Sequence, residues 1–285
     1  MAARNNKDRL GVPTSGADTT DSPAPAANLL DFVVPTEFVE LPSRGEFYAK
    51  DHPLHGQTSI EIRYMTAKDE DILTSKTLLK QGVALERVLQ GLVVDKTINI
   101  NDLLIGDKNA IVVAARVSAY GPEYETKVSC PACAATNEKT FDLSEVGFIE
   151  QTGLEDLGIT KNDDMTFSIL LPVTKVEATV KLMTGQDENR LASIRGSKKK
   201  LSKDAEFSMT DQFKQFVVSV NGVEDRAQIS SFIDNMPAND SRFLRLAYKK
   251  VVPNIDLQQY FECNSCGFEQ EMEVPFTTDF FWPKL

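Results

Sequence analysis

The sequence predicts an α+β fold made of two pseudo-repeated halves, each running strand, helices, cysteine pair. Three observations carry this reading. All four cysteines fall in two C-x-x-C pairs, Cys130-Pro131-Ala132-Cys133 and Cys263-Asn264-Ser265-Cys266, with 129 residues between them. Asp107 lies 23 residues before Cys130, and Asp240 lies 23 before Cys263; the same spacing aligns Ala114 with Ala247 and Glu138 with Glu271. Upstream, Met65-Thr66-Ala67-Lys68-Asp69-Glu70 follows a strand-like run, and Met183-Thr184-Gly185-Gln186-Asp187-Glu188 follows another. By this alignment the second copy carries about 15 extra residues before its cysteines, and a repeated order of motifs is what an internal duplication leaves behind.

Each cysteine pair puts two thiols on one tight turn. Two such knuckles supply the four ligands of a closed, tetrahedral, structural zinc site. Cys130, Cys133, Cys263 and Cys266 are therefore the expected ligands of one Zn2+ that joins the halves in a zinc-ribbon-like junction. Strand-like residues flank both turns. Tyr124, Thr126 and Val128 alternate with charged neighbours before the first, and Phe268, Gln270, Met272 and Val274 alternate with glutamates after the second. Gly267 stands where such a turn wants a positive φ, whereas Ala134 holds the matching place in the first. Redox-active pairs or four unrelated thiols are the other readings; redox pairs usually open a helix in a βαβ setting, and neither pair does so here.

The expected elements follow in order. Residues 1–28, rich in Ala, Pro, Thr and Ser, read as a flexible tail; 29–148 form the first half and 149–285 the second, which ends in an aromatic tail. Leu41-Pro42-Ser43-Arg44-Gly45 is a tight turn. Thr66 caps a helix with Asp69 in the capping-box position, and Ile72, Leu73, Leu78, Leu79, Leu85, Val88, Leu89 and Leu92 form an apolar stripe broken near Gly82. Asp107 starts the helix leading to the first knuckle, and 141–164 is the junction between halves. Met165–Leu171 and Lys175–Leu182 are strands around Pro172. Ser197–Lys200 reads as a wet loop, Phe213, Phe216, Val217 and Val220 as one helical face, and Asp240 or Ser241 as a helix cap. The run Phe280-Phe281-Trp282 is expected to be withdrawn from water, in its own domain or on a neighbour.

Composition narrows the function. The 285 residues carry a formal charge of −11, which opposes a sequence-independent grip on nucleic acid. No apolar run is long enough to span a membrane and no signal-peptide core is present, so paired cysteines fit a reducing cytoplasm. The phosphate-loop, dinucleotide, nucleophile-elbow and H-E-x-x-H motifs are missing from the sequence. The two histidines, His52 and His55, flank Pro53 in a loop with no cysteine nearby in the sequence, and they are not read as a metal pair. No enzyme is expected.

With these motifs in view, the chain resembles the T-even-type bacteriophage baseplate proteins, in particular those described as baseplate hub subunits. The stretches that carry the resemblance are Leu41–Tyr48, Glu61–Leu73, Asp102–Ile111 running on to Tyr120–Tyr124, both knuckles, and Asp279–Pro283. The resemblance covers roughly residues 30–285 and implies a non-enzymatic structural or assembly role in a contractile-tail baseplate. It implies other baseplate and tail proteins as partners, and a place in the virion after assembly in the host cytoplasm. The rival expectations are a cytoplasmic zinc-ribbon adaptor for nucleic acid or the transcription machinery, a transient assembly chaperone absent from the virion, and a redox enzyme.

Overall fold

A computed structural model describes residues 34–144, 146–201, 208–276 and 278–281. The expected tail 1–28, the apolar stretch 29–33 and Trp282 lie outside the described residues. From Pro35 onward, helices and antiparallel strands share one apolar core that runs from Val39 to Phe281.

Strands β1 (Thr36–Glu40) and β2 (Ser59–Arg63) pair antiparallel, Phe38 opposite Glu61. Alternation sends Val39, Ile60 and Ile62 into the core. Between the strands, Arg44 and Gly45 both take positive φ. A Cβ at Gly45 would sit 2.4 Å from Leu54 O, so this turn accepts only glycine there. The expected stripe falls on α1 (Ala67–Thr74), α2 (Lys76–Gln81) and α3 (Ala84–Leu92), with Gly82 left-handed after α2, but α2 buries none of it and Leu79 is exposed. Val93 bridges back to Ile62. Helix α4 (Ile105–Tyr120) then leads to the hairpin β3 (Glu123–Ser129) and β4 (Thr136–Asp142).

The chain continues through β5 (Gly147–Phe148), β6 (Ile159–Lys161), β7 (Phe167–Leu170) and β8 (Glu177–Val180). Helices α5 (Gly185–Leu201) and α6 (Met209–Phe216) follow, then β9 (Val217–Val220), α7 (Arg226–Asn235) and α8 (Ala238–Val251). Strand β10 (Ile255–Asp256) precedes the hairpin β11 (Gln258–Glu262) and β12 (Glu269–Glu273). Strands β6-β7-β8-β9 form one sheet, and β10 pairs with β5. Three further expectations are corrected. Ser197–Lys200 lies in α5 rather than a loop, the helix running on through Gly196 to Leu201. Val217 and Val220 leave the helical face and enter β9, where β-branched side chains fit the pleat. Asp240 caps nothing: α8 starts at Ala238 and the Asp240 carboxylate points at another segment.

Four buried carboxylates fix how strands meet helices. Asp69 accepts from both Arg63 guanidinium nitrogens at 2.7 and 2.9 Å and from Thr66 N at 2.8 Å. Asp187 accepts from Lys181 Nζ at 2.7 Å and from Thr184 N at 3.2 Å. Asp107, in the first turn of α4, accepts from Ser43 N at 3.0 Å, Ser43 Oγ at 2.5 Å and Tyr48 OH at 2.6 Å. Asp240, in the first turn of α8, accepts from Val173 N at 2.8 Å, Thr174 N at 3.0 Å and Thr174 Oγ1 at 2.7 Å. In both of the last two cases the backbone donors follow a Leu-Pro whose leucine is buried, Leu41-Pro42 or Leu171-Pro172. A hairpin turn leaves backbone N–H groups without ladder partners, and a carboxylate at a helix start is well placed to receive them.

Candidate metal centre

The four cysteines sit on the tips of the hairpins β3–β4 and β11–β12. Both tips fold by the same bonds. Ala134 N donates to Cys130 O and Cys130 N to Ala135 O; Gly267 N donates to Cys263 O and Cys263 N to Phe268 O, all at 2.9 Å. Ala134 and Gly267 take φ of 59° and 67°, so the conformation expected of Gly267 is imposed on an alanine in the first tip.

Facing each other, the tips bring all four Sγ atoms within 4.8 Å of one another. Cys130 Sγ lies 3.8 Å from Cys266 Sγ, and Cys133 Sγ lies 3.7 Å from Cys263 Sγ. Tetrahedral thiolate coordination with bonds of about 2.3 Å requires sulfur–sulfur edges of about 3.8 Å. Both pairs fit that figure and are much too long for a disulfide, whose sulfurs stand about 2 Å apart. Cys130 and Cys263 are buried, Cys133 and Cys266 exposed. Among the described residues no other group of three Cys, His, Asp or Glu side chains converges in this way.

The surroundings favour thiolate at one sulfur and oppose it at another. Burial would raise the Cys263 thiol, but N–H groups of Ser265 and Cys266 and the Asn137 amide outweigh it and lower the thiol to about 6. The Phe268 N–H favours the Cys266 thiolate, yet the neighbouring sulfurs and burial push it up to about 12. Four sulfurs crowded together cannot all be charged without a cation between them. A divalent ion removes that conflict.

Asn137 on β4, which the sequence did not flag, is the outer support. It is buried; its Nδ2 lies 3.5 Å from Cys263 Sγ and donates to Ala135 O, while its Oδ1 accepts from Asn264 N at 2.9 Å. One side chain of the first hairpin thus holds the turn of the second. Away from the sulfurs the hairpins are tied again. Gln259 exchanges two hydrogen bonds with the Asp142 backbone, and Tyr124 OH donates to Pro275 O. Arg116 on α4 is also buried, and its Nε donates to Phe280 O at 2.7 Å, its other nitrogens to Gly121 O and Glu123 O. Phe280 and Phe281 are buried, as expected for the aromatic run. His52 and His55 serve structure: His52 stacks on Tyr48 and its Nδ1 accepts from Leu54 N, while His55 Nδ1 lies 2.7 Å from Tyr48 O.

Four thiol ligands would leave no open coordination position, so a metal held there would be structural rather than catalytic. The chain belongs to the T4 bacteriophage base plate protein family, whose profile matches residues 35–282. No curated protein and no solved structure matches it.

Proposed function

We propose that the chain is a non-enzymatic structural component of the hub region of a contractile-tail phage baseplate, acting through contacts with other baseplate and tail proteins. The observation that carries this is the family match over residues 35–282, which takes in both cysteine pairs and the buried carboxylates. In this reading one zinc, bound by Cys130, Cys133, Cys263 and Cys266, locks two related halves, 29–148 and 149–285, at a fixed angle. The sulfur–sulfur edges of 3.7 and 3.8 Å support the metal. The relatedness of the halves is supported by the matched bonds of Asp69 with Asp187 and of Asp107 with Asp240.

A part that sets the angle between neighbours needs rigidity more than chemistry, and a metal closing a long loop provides it. Mass spectrometry of intact, purified virions tests the reading. The chain should be present at a fixed ratio to known baseplate subunits. Its presence in infected-cell extracts but not in particles would replace the structural role with that of an assembly chaperone.

A further inference from the structure

The hairpins β1–β2 and β7–β8 differ at one edge. Superposing Leu41-Pro42 on Leu171-Pro172 in sequence aligns Phe38 with Ser168, Glu40 with Leu170 and Glu37 with Phe167. On the covered hairpin, β6 runs along β7 with Thr160 opposite Ser168 and Lys161 opposite Phe167. Leu170 N also donates to Gly158 O at 3.4 Å. On β1 no described strand takes that side. Tyr64 N donates to Pro35 O and Leu41 N to Thr58 O, so the odd-numbered residues of β1 face β2 and Thr36, Phe38 and Glu40 face away. Their outward N–H and C=O groups have no backbone partner among the described residues.

Pro35, Glu37 and Glu40 give the edge some protection, but no described strand covers it. Phe38 is 72% exposed, the most exposed large apolar side chain among the described residues. Beside it, Glu37 Oε1 is buried with no hydrogen-bond partner among the described residues. An open strand edge with an apolar side chain is normally protected by charge, proline or a cover. In the other hairpin the cover arrives through a turn in which Met165 takes φ of 65° and donates to Asn162 O. Pro35 stands at the aligned place, and its ring locks φ near about −65°, so that turn cannot form before β1.

We propose that the open edge of β1 receives an extended strand from a neighbouring baseplate protein, carrying an apolar side chain opposite Phe38 and a Lys or Arg opposite Glu37. The strand's backbone completes the hydrogen bonds of Thr36, Phe38 and Glu40, as β6 does for Ser168 and Leu170. Its cation meets the buried Glu37 oxygen, at the register where β6 carries Lys161. The choice of a baseplate protein as donor rests on the function proposed above; the acceptor edge rests on the geometry of β1.

Amide hydrogen exchange tests this on the full chain, alone and in baseplates isolated from infected cells. In the free chain the Phe38 and Glu40 amides should exchange freely while those of Ser168 and Leu170 are protected. In baseplates Phe38 and Glu40 should slow by at least about tenfold. Phe38→Pro removes an outward N–H without touching the β2 ladder, so it should fold yet fail to enter baseplates, whereas Phe38→Ala enters with a smaller loss. Protection already present in the free chain overturns the proposal: if concentration-dependent it assigns the edge to a second copy, and if lost on deleting residues 1–33 it assigns the edge to the chain itself. Fast exchange at Phe38 in baseplates that contain the chain overturns it while leaving the structural role intact. Absence of the chain from baseplates removes both.

Discussion

Asn137 of one hairpin holds Cys263 of the other, with its amide nitrogen 3.5 Å from the sulfur and its oxygen on the neighbouring Asn264 N–H. The cysteine junction therefore has a support that does not depend on coordination. Replacing Asn137 with alanine removes a thiolate donor and leaves Asn264 N without its acceptor. Zinc affinity, measured by competition with a chromogenic chelator, should fall roughly 10- to 100-fold with the fold retained by circular dichroism.

The ligands themselves should behave as one set. The double variant Cys130→Ser, Cys133→Ser is expected to lower zinc from one ion per chain to none by elemental analysis. Metal binding of this kind supplies folding free energy on the order of ten kcal/mol before ordering costs. The variant should therefore also speed amide exchange in β11 and β12, which it does not touch. Retention of one tightly held zinc would show that each knuckle binds alone.

Ala134 and Gly267 offer a matched pair of backbone tests. Both are left-handed, and a Cβ at Gly267 would meet nothing within 4 Å, so its substitution reports conformation alone. Ala134→Gly should stabilise the metal-bound protein, and Gly267→Ala destabilise it, each by about 1 kcal/mol in urea unfolding. Equal and opposite shifts would match the equal turn geometry; a loss on Ala134→Gly would mean that unfolded-chain entropy outweighs relief of strain.

Much of this architecture is legible in the sequence, and what is hidden has a common cause. Periodicity locates β2, α3, β7 and β8 because each buries one face, and the two cysteine pairs identify the junction because few chemistries need that spacing. The equal 23-residue offsets mark Asp107 and Asp240, but as helix starts, not as buried acceptors for the turns at Ser43 and Thr174. Their donors lie 64 and 66 residues away in the chain, beyond any local pattern. Asn137 is hidden for the same reason, 126 residues from Cys263. Strand β6 has three residues, too few for alternation to register.

The two turn-binding aspartates should titrate in opposite senses. Burial, outweighing the Ser43 and Tyr48 hydrogen bonds, raises Asp107 above the ordinary 3.8. Burial also works against charge on Asp240, but Thr174, the Val173 and Thr174 N–H groups and Lys175 win and lower it. A raised folded-state value means that the native state holds the proton longer, so this group's contribution is full below 3.8 and is lost as pH rises through the folded value. A lowered value gives the reverse: the contribution is full above 3.8 and is lost as pH falls. Urea midpoints across acidic pH should show the penalty of Asp240→Asn growing with pH and that of Asp107→Asn shrinking. Parallel slopes would refute the assignment.

Arg116 gives a test of the aromatic segment. Arg116→Met leaves the carbonyls of Phe280, Gly121 and Glu123 without a donor. The cost should be about 3 kcal/mol, with new proteolytic cleavage between 276 and 281. Unchanged stability would mean that packing of Phe280 against Tyr124, with ring centroids 5.0 Å apart, holds the segment alone.

The same contact sets a timetable. Arg116 and Phe280 are 164 residues apart, so a ribosome working at 5–20 residues per second needs roughly 10–30 s to make the second after the first. During that interval α4 cannot settle with its guanidinium satisfied, and the first cysteine pair waits for the second as well. A nascent chain of this protein therefore cannot present its finished surface before the Phe280 turn has left the ribosome. A translation product that stops short of that turn carries a defect in one of its earliest helices, where a protease can find it before an assembling particle does.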